Sequence, residues 1–420
     1  MFKNLKLIFS PKNKDIRKRI SFTLIGLLIF ALGTTIPVPG TEGAISSLGL
    51  WELYNAIGGG ALKNFSIFAL GVMPYISASI ITGILQMDIV PYFTELKESG
   101  EQGRQKINQI NRYLGIAIAF VQGFAMAFTF IKGASTIQYF EIAIILTGGT
   151  ALLLWLGDQI TQKGIGNGIS LIIMAGIIST VPKMFIDTFG TLVTSRTGSL
   201  FIGIVGFSLF VLLYLLIVVG VVFEECSERR IPIQYSNRTT ASYGGKQNYI
   251  PFKINSAGVM PVIFASVLLS IPTFIAGILG SDSGFSLFVS KYIDYSTPVG
   301  FVLYMILIFV FGYFYTNMQI NPKELAKNLN RNGGYIPGIR PGVETENYIK
   351  KILNRITFLG STFIAIIAGL PIVFSSFIST GLPASVRIGG TGVLIVVGVA
   401  IETCRQLESS LINRSYKGAR

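Results

Sequence analysis

Val72 and Ile76 lie four residues apart, as do Ile169 and Ile173, so each pair shares one face of a helix. Ordinary packing is the common use of such pairs. At a broken helix, however, inward-facing β-branched residues close a dry constriction that stops water and ions by dewetting. Such a gate makes no directional contact with what passes, and it suits a bulky, chemically varied cargo. The ionisable residues point the same way by where they are missing. Asp88, Glu141, Asp158 and Glu402 fall in loops or near the ends of apolar stretches, and the chain has no histidine. Coupled transport needs ionisable groups at membrane depth. Intramembrane proteolysis needs paired acids, a histidine base or histidine zinc ligands. Gly164, Ile165, Gly166, Asn167 and Gly168 form a glycine-rich piece without the lysine of a phosphate loop. The chain therefore reads as neither an enzyme nor a holder of a cofactor or metal.

The elements that must position these aliphatics are repeated. The sequence GVMPYISASI at 71–80 returns as GVMPVIFASV at 258–267, 187 residues later, and in the wider window from Phe65 nine of sixteen positions agree. Chance agreement between unrelated apolar segments is roughly one position in ten. Matched Gly/Pro interruptions in two halves of a membrane protein mark its working site.

Of the 420 residues, 51% are hydrophobic and 13% charged, more apolar surface than a soluble domain can bury. Ten stretches long enough to cross about 30 Å of hydrocarbon lie near 20–37, 72–90, 113–131, 140–157, 165–182, 199–223, 255–279, 299–318, 356–376 and 385–401. The net charge of +14 follows their alternation: 28 of the 34 Lys and Arg lie on one set of connections and at both termini, 6 on the other. That is the positive-inside pattern with both termini cytoplasmic. The basic leader lacks a small-residue cleavage pattern and reads as mature sequence. Cys226 and Cys404 fall at cytoplasmic span ends, where disulfides are not expected.

The repeats begin at the second and seventh spans, five crossings apart, so they traverse the membrane in opposite directions. The expected fold is an all-α polytopic membrane protein of ten transmembrane helices in two inverted five-helix halves. Its parts are a cytoplasmic segment 1–19, an N-terminal half 20–182, an external hinge loop 183–198, a C-terminal half 199–401 and a cytoplasmic tail 402–420. Residues 58–70 are apolar but too short to cross before the break at Gly71 and Pro74. They are expected to re-enter among the helices as a short helix, a helix lying flat in the interface being the alternative. Two cytoplasmic loops, 224–253 and 321–347, carry a short strand around Ile231, Ile233 and Tyr235 and Pro-Gly turns around Arg340.

Six stretches resemble the SecY family, the channel subunit of the bacterial protein translocase: IPVPG at 36–40, GGALKNFSIFALGVMPYISASI at 59–80, WLGDQITQKGIGNGIS at 155–170, INSAGVMPVIFAS at 254–266, PGIRPG at 337–342 and GGTGVLIVVGVA at 389–400. The resemblance implies a pore ring at Val72, Ile76, Ile169, Ile173, Ile263 and Ile395. It implies a plug containing Gly59, Gly60, Ala61, Leu62, Asn64, Phe65, Ser66, Ile67 and Phe68. A lateral gate involving Pro74, Ser79, Gly83, Gln122, Asn255 and Pro261 is implied between spans two and three on one side and seven and eight on the other. Docking would fall to Arg340, with Arg229, Arg230 and Arg238. The implied partners are SecE and SecG subunits, the SecA motor, the ribosome, signal sequences, nascent polypeptides and membrane lipids, and the implied location is the bacterial inner membrane. Two departures stand out. Val72 replaces the more usual Ile, and Gly83 sits where many relatives carry Gln, leaving Gln122 and Asn255 to supply polar groups at the gate. A secondary transporter or flippase for an amphiphile is the alternative from another class.

Overall fold

A computed structural model describes residues 14–41, 54–55, 58–86, 90–131, 133, 135–194, 200–235, 248–279, 283–294, 297–377 and 384–417. The first half contains α1 (Lys14–Gly33), α2 (Met73–Leu85), α3 (Pro91–Glu98), α4 (Glu101–Phe130), α5 (Thr136–Lys163) and α6 (Gly168–Phe189). After α7 (Leu200–Cys226) come strands β1 (Glu228–Tyr235) and β2 (Asn248–Lys253), then α8 (Met260–Leu279), α9 (Gly284–Phe288) and α10 (Pro298–Gln319). The chain continues through α11 (Pro322–Arg331), β3 (Gly334–Tyr335), α12 (Val343–Phe377) and α13 (Ala384–Lys417). Several starts are written locally. Ser135 and Gln138 form a reciprocal capping box on α5, while Asn167, Thr297 and Asn321 accept from first-turn amides of α6, α10 and α11. Those amides have no partner within the helix.

Among the described residues, seven helices, α4 to α8, α10 and α12, are long and apolar enough to cross a membrane. The expected first, second and tenth spans correspond to α1, α2 and α13. Helix α2 has only 13 residues, about 20 Å at 1.5 Å per residue, because the turn at Gly71 delays its start. Large apolar side chains cover the outside of the bundle, among them Leu212, Leu216, Val219 and Phe223 of α7, an arrangement that hydrocarbon satisfies and water does not.

The duplication read in the sequence recurs in the packing. In the first half α1 lies against α5 and α6, α2 against α4, α4 against α5, and α5 against α6. Replacing each helix by the one five spans later gives α7 with α12 and α13, α8 with α10, α10 with α12, and α12 with α13. All of these pairs occur. The halves meet along two seams, α8 against α2 and α4, and α6 against α13. Local geometry repeats as well. Gly71 (φ 56°) and Gly258 (φ 61°) are both left-handed, two residues before helices that open with Met-Pro. Glycine enters that region without steric cost, and proline is tolerated in a first helical turn.

The structure differs from expectation in three details. Residues 58–72 form a succession of turns instead of a short helix, because Gly59, Gly60, Phe65 and Gly71 all have positive φ and interrupt right-handed helix. The hinge loop expected at 183–198 is largely helical. Helix α6 runs through Pro182 and continues as a wider turn over Gly190–Thr194, since Met184 and Leu192 bury against Phe210 and Phe374. Third, the strand expected around 231–235 is not alone: it is β1, which lies between the unexpected β2 and β3 in an antiparallel sheet on an otherwise mostly helical chain. Its inward Ile231 and Ile233 cover Leu329, Ile349, Leu353 and Ile356, a second core apart from that of the bundle.

Candidate functional site

The aliphatic candidates sit where helices begin. Val72 directly precedes α2, Ile76 lies in its first turn, Ile169 and Ile173 occupy the first turns of α6, and Ile263 the first turn of α8. Ile395 belongs to α13. Val72, Ile76, Ile173, Ile263 and Ile395 are buried in one apolar core, and partly buried Ile169 packs against it. None of those five is more than 7% exposed, so they face protein rather than hydrocarbon.

Residues 58–70 are seated just before Val72. Ala61, Leu62, Phe65, Ser66 and Phe68 are buried. Backbone bonds tie the segment to the residues that follow α1, with Val38 N donating to Phe65 O (2.9 Å) and Ile67 N to Ile36 O (3.1 Å). Asn64 Nδ2 donates to Thr34 O (3.4 Å) and Ser179 Oγ to Gly59 O (3.3 Å). Phe68 stacks on Phe30 with ring centres 6.2 Å apart. Close approach needs small residues beneath. A Cβ on Gly33 of α1 would lie 1.9 Å from the Phe68 ring, and one on Gly149 of α5 would lie 1.9 Å from Ile67 O. Tyr54 donates to Leu70 O (2.9 Å) and meets Phe274 of α8 edge-on at 5.7 Å, reaching the other half.

At the seam between halves, Pro74 and Pro261 are buried in the first turns of α2 and α8, and Ser79 is partly buried. Gly83 faces α10 across the seam, where a Cβ would lie 3.3 Å from Met318 Sδ. Gln122 Oε1 is buried with no hydrogen-bond partner among the described residues. Asn255 is not free to complement it. Its Nδ2 donates to Glu225 Oε1 at 3.3 Å, so this expected gate group is committed elsewhere.

On the sheet, Arg229 and Arg230 are exposed, and Arg230 lies 4.8 Å over the Tyr249 ring. Arg340 is exposed at the end of a tight turn in which Ile339 N donates to Ile336 O (3.1 Å) and Gly338 has φ 80°. Pro337 and Gly338 are the residues a type II turn demands at its two central positions. Arg238 lies outside the described residues.

Two polar contacts and a pair of buried acids escaped sequence reasoning. Arg112 pairs with Asp158 at 2.6 Å between α4 and α5, the Thr82 hydroxyl bonds Asn111 between α2 and α4, and Glu224 and Glu225 are buried on the last turn of α7. The sequence pattern puts the two acids in the cytoplasmic loop 224–253, and the signal against that is their direct continuation of a 24-residue apolar run from Leu200.

The SecY family profile matches residues 66–404. The chain belongs to the SecY family. Similar SecY-family proteins include the protein translocase subunit SecY of Halalkalibacterium halodurans, 46% identical over 431 residues and covering 100% of this chain and 99% of that protein. The Bacillus subtilis subunit is 47% identical over 422 residues, with 96% of each covered. Two solved structures share the fold. One, described as a protein-conducting channel, has a TM-score of 0.66 at 20% identity over 94% of this chain and 92% of its own. The other, a SecY channel whose plug domain is described as stabilising the closed state, has a TM-score of 0.67 at 21% identity with the same coverage. A SecY-family chain with seven membrane-length apolar helices is a multi-pass membrane protein.

Proposed function

We propose that this chain is the protein-conducting channel of a Sec translocase, passing unfolded polypeptides across the membrane and releasing membrane segments sideways into lipid. The observation that carries the reading is that Val72, Ile76, Ile173, Ile263 and Ile395, drawn from both halves, are buried in the same apolar core as Ala61, Leu62, Phe65 and Phe68 of the seated segment. Aliphatic side chains exclude water without recognising a particular solute. A hydrophobic signal segment would enter between α2 and α8, driven by a few tenths of a kcal/mol per apolar residue. Its insertion parts the seam, unseats 58–70 as the plug, and admits an extended chain through the ring. Gly83 leaves the seam less polar on the α2 side, and Gln122 remains as a buried acceptor for the entering segment.

The chain itself carries out no catalysis in this scheme. Free energy comes from a SecA-type motor or from synthesis on a ribosome, docked at Arg340 with Arg229, Arg230 and Arg238, and SecE and SecG complete the complex. The basic connections support a cytoplasmic position for both termini, and membership of the SecY family supports the inner membrane of a bacterial cell as the location. The test is conductance. Ile76→Asn and Ile173→Asn should each raise resting ion leak through the purified complex in planar bilayers, whereas leak equal to that of the native channel would remove these residues from the ring.

A further inference from the structure

The 187-residue repeat extends upstream of the Met-Pro breaks, so 252–259 is the counterpart of 65–72, and Asn255 occupies the place of Phe68. Both segments lay the same backbone atom against a glycine of equivalent helices. Ile67 O lies against Gly149 of α5, and Ile254 O lies 2.8 Å from where a Cβ on Gly360 of α12 would stand. The seats beyond that point differ in kind. Phe68 is held by ring stacking and fit, which are non-directional, and the hydrogen bonds that hold its segment join neutral groups only.

Asn255 is 3% exposed and donates to the buried Glu225 carboxylate. The other oxygen of Glu225 stands 4.0 Å from Lys253 Nζ, and its backbone carbonyl accepts from Arg405 Nη2 of α13 at 3.0 Å. Ile254 N donates to Ser227 O at 3.1 Å, just beyond α7. Pulling this segment away would strand a buried charge and its donors, which costs more than parting apolar surfaces and neutral hydrogen bonds.

We propose that Glu225, acting through Asn255, is a positioning residue that locks the root of α8 to α7 and α13. The two copies of one repeated segment then have opposite roles: 65–72 is releasable and 252–259 is fixed, so the seam opens by movement of the α2 side. This rests on the channel reading above.

The test uses the assembled complex and compares export of a precursor bearing a defective signal with export of the same precursor bearing an intact one. Asn255→Asp sets two carboxylates against each other. Pairing it with Glu225→Gln restores one hydrogen bond with donor and acceptor exchanged. Glu225→Ala and Asn255→Asp should each raise the defective-to-intact export ratio by about tenfold, the shift expected for losing one hydrogen bond to a charged group. The pair E225Q/N255D should return the ratio toward native. A native ratio in either single variant overturns the proposal, as does a loss of all export in step with complex abundance that the pair does not restore. Ile76→Asn, measured in parallel for ion leak, separates the two levels. If it leaks while N255D keeps the native ratio, only the anchor fails; if it does not leak, the channel reading fails with it.

Discussion

Gly149→Ala is the sharpest test of the seat. The added Cβ would stand 1.9 Å from Ile67 O and 2.9 Å from Ile67 C. An ordinary carbon-to-carbonyl-oxygen contact is about 3.3 Å, so the segment must withdraw by about 1.4 Å. Overpacking of this kind costs about 1–3 kcal/mol. The cost falls on the seated state, because alanine otherwise favours α5 by about 1 kcal/mol over glycine. A bias of about 1–3 kcal/mol moves a two-state equilibrium by about 5–150-fold toward the unseated form. Single-channel recording in planar bilayers reads this as a higher resting open probability. Gly33→Ala supplies the internal control: its Cβ meets only ring atoms of Phe68, so adding Phe68→Ala should lower the leak again. No side-chain truncation in the segment can relieve the backbone clash at Gly149. Native leak in G149A, with the complex assembled at native abundance, would refute the idea that 58–70 must sit on α5 for the channel to be closed.

Two further outcomes are expected. Arg340→Glu should abolish most motor-dependent export from inverted vesicles while leaving complex assembly native, and normal export would remove Arg340 from the docking surface. After Cys226→Ser and Cys404→Ser, Gly83→Cys with Met318→Cys should join α2 to α10 under oxidant and block transport until reduced; oxidised complexes that transport normally would show that the seam need not open there.

Where the sequence carried periodic or conformational information it reached the structure. The Gly-Val-Met-Pro repeat announced helices broken at matching places in the two halves, where the structure has left-handed Gly71 and Gly258, and the Pro337-Gly338 pair announced a turn, where Gly338 has φ 80°. The shape of 58–72 was not legible, since apolar composition reports burial but not winding, and Phe65 takes a positive φ that its identity does not advertise. Strand β2 was missed because Tyr249 and Pro251 gain their partners from β1, not from local preference. The largest gap lies at Asn255 and Glu225. Thirty residues separate them, and nothing in either neighbourhood says that one carboxylate goes inward to meet one amide. A buried polar contact is a property of two distant positions at once, whereas hydrophobic period is a property of one stretch.

Helix α12 has 35 residues, about 52 Å of continuous rod at 1.5 Å per residue. Its near end, through Ile349, Leu353 and Ile356, is embedded in the small core beneath the sheet. One turn beyond Ile356, Gly360 bears on the carbonyl of Ile254. A load pressed on the Arg340 turn is therefore not absorbed by a flexible tether. It is borne by a strut whose next point of support is the footing of α8, so whatever pushes from outside the bilayer pushes against a braced abutment and leaves the opposite leaf free to yield.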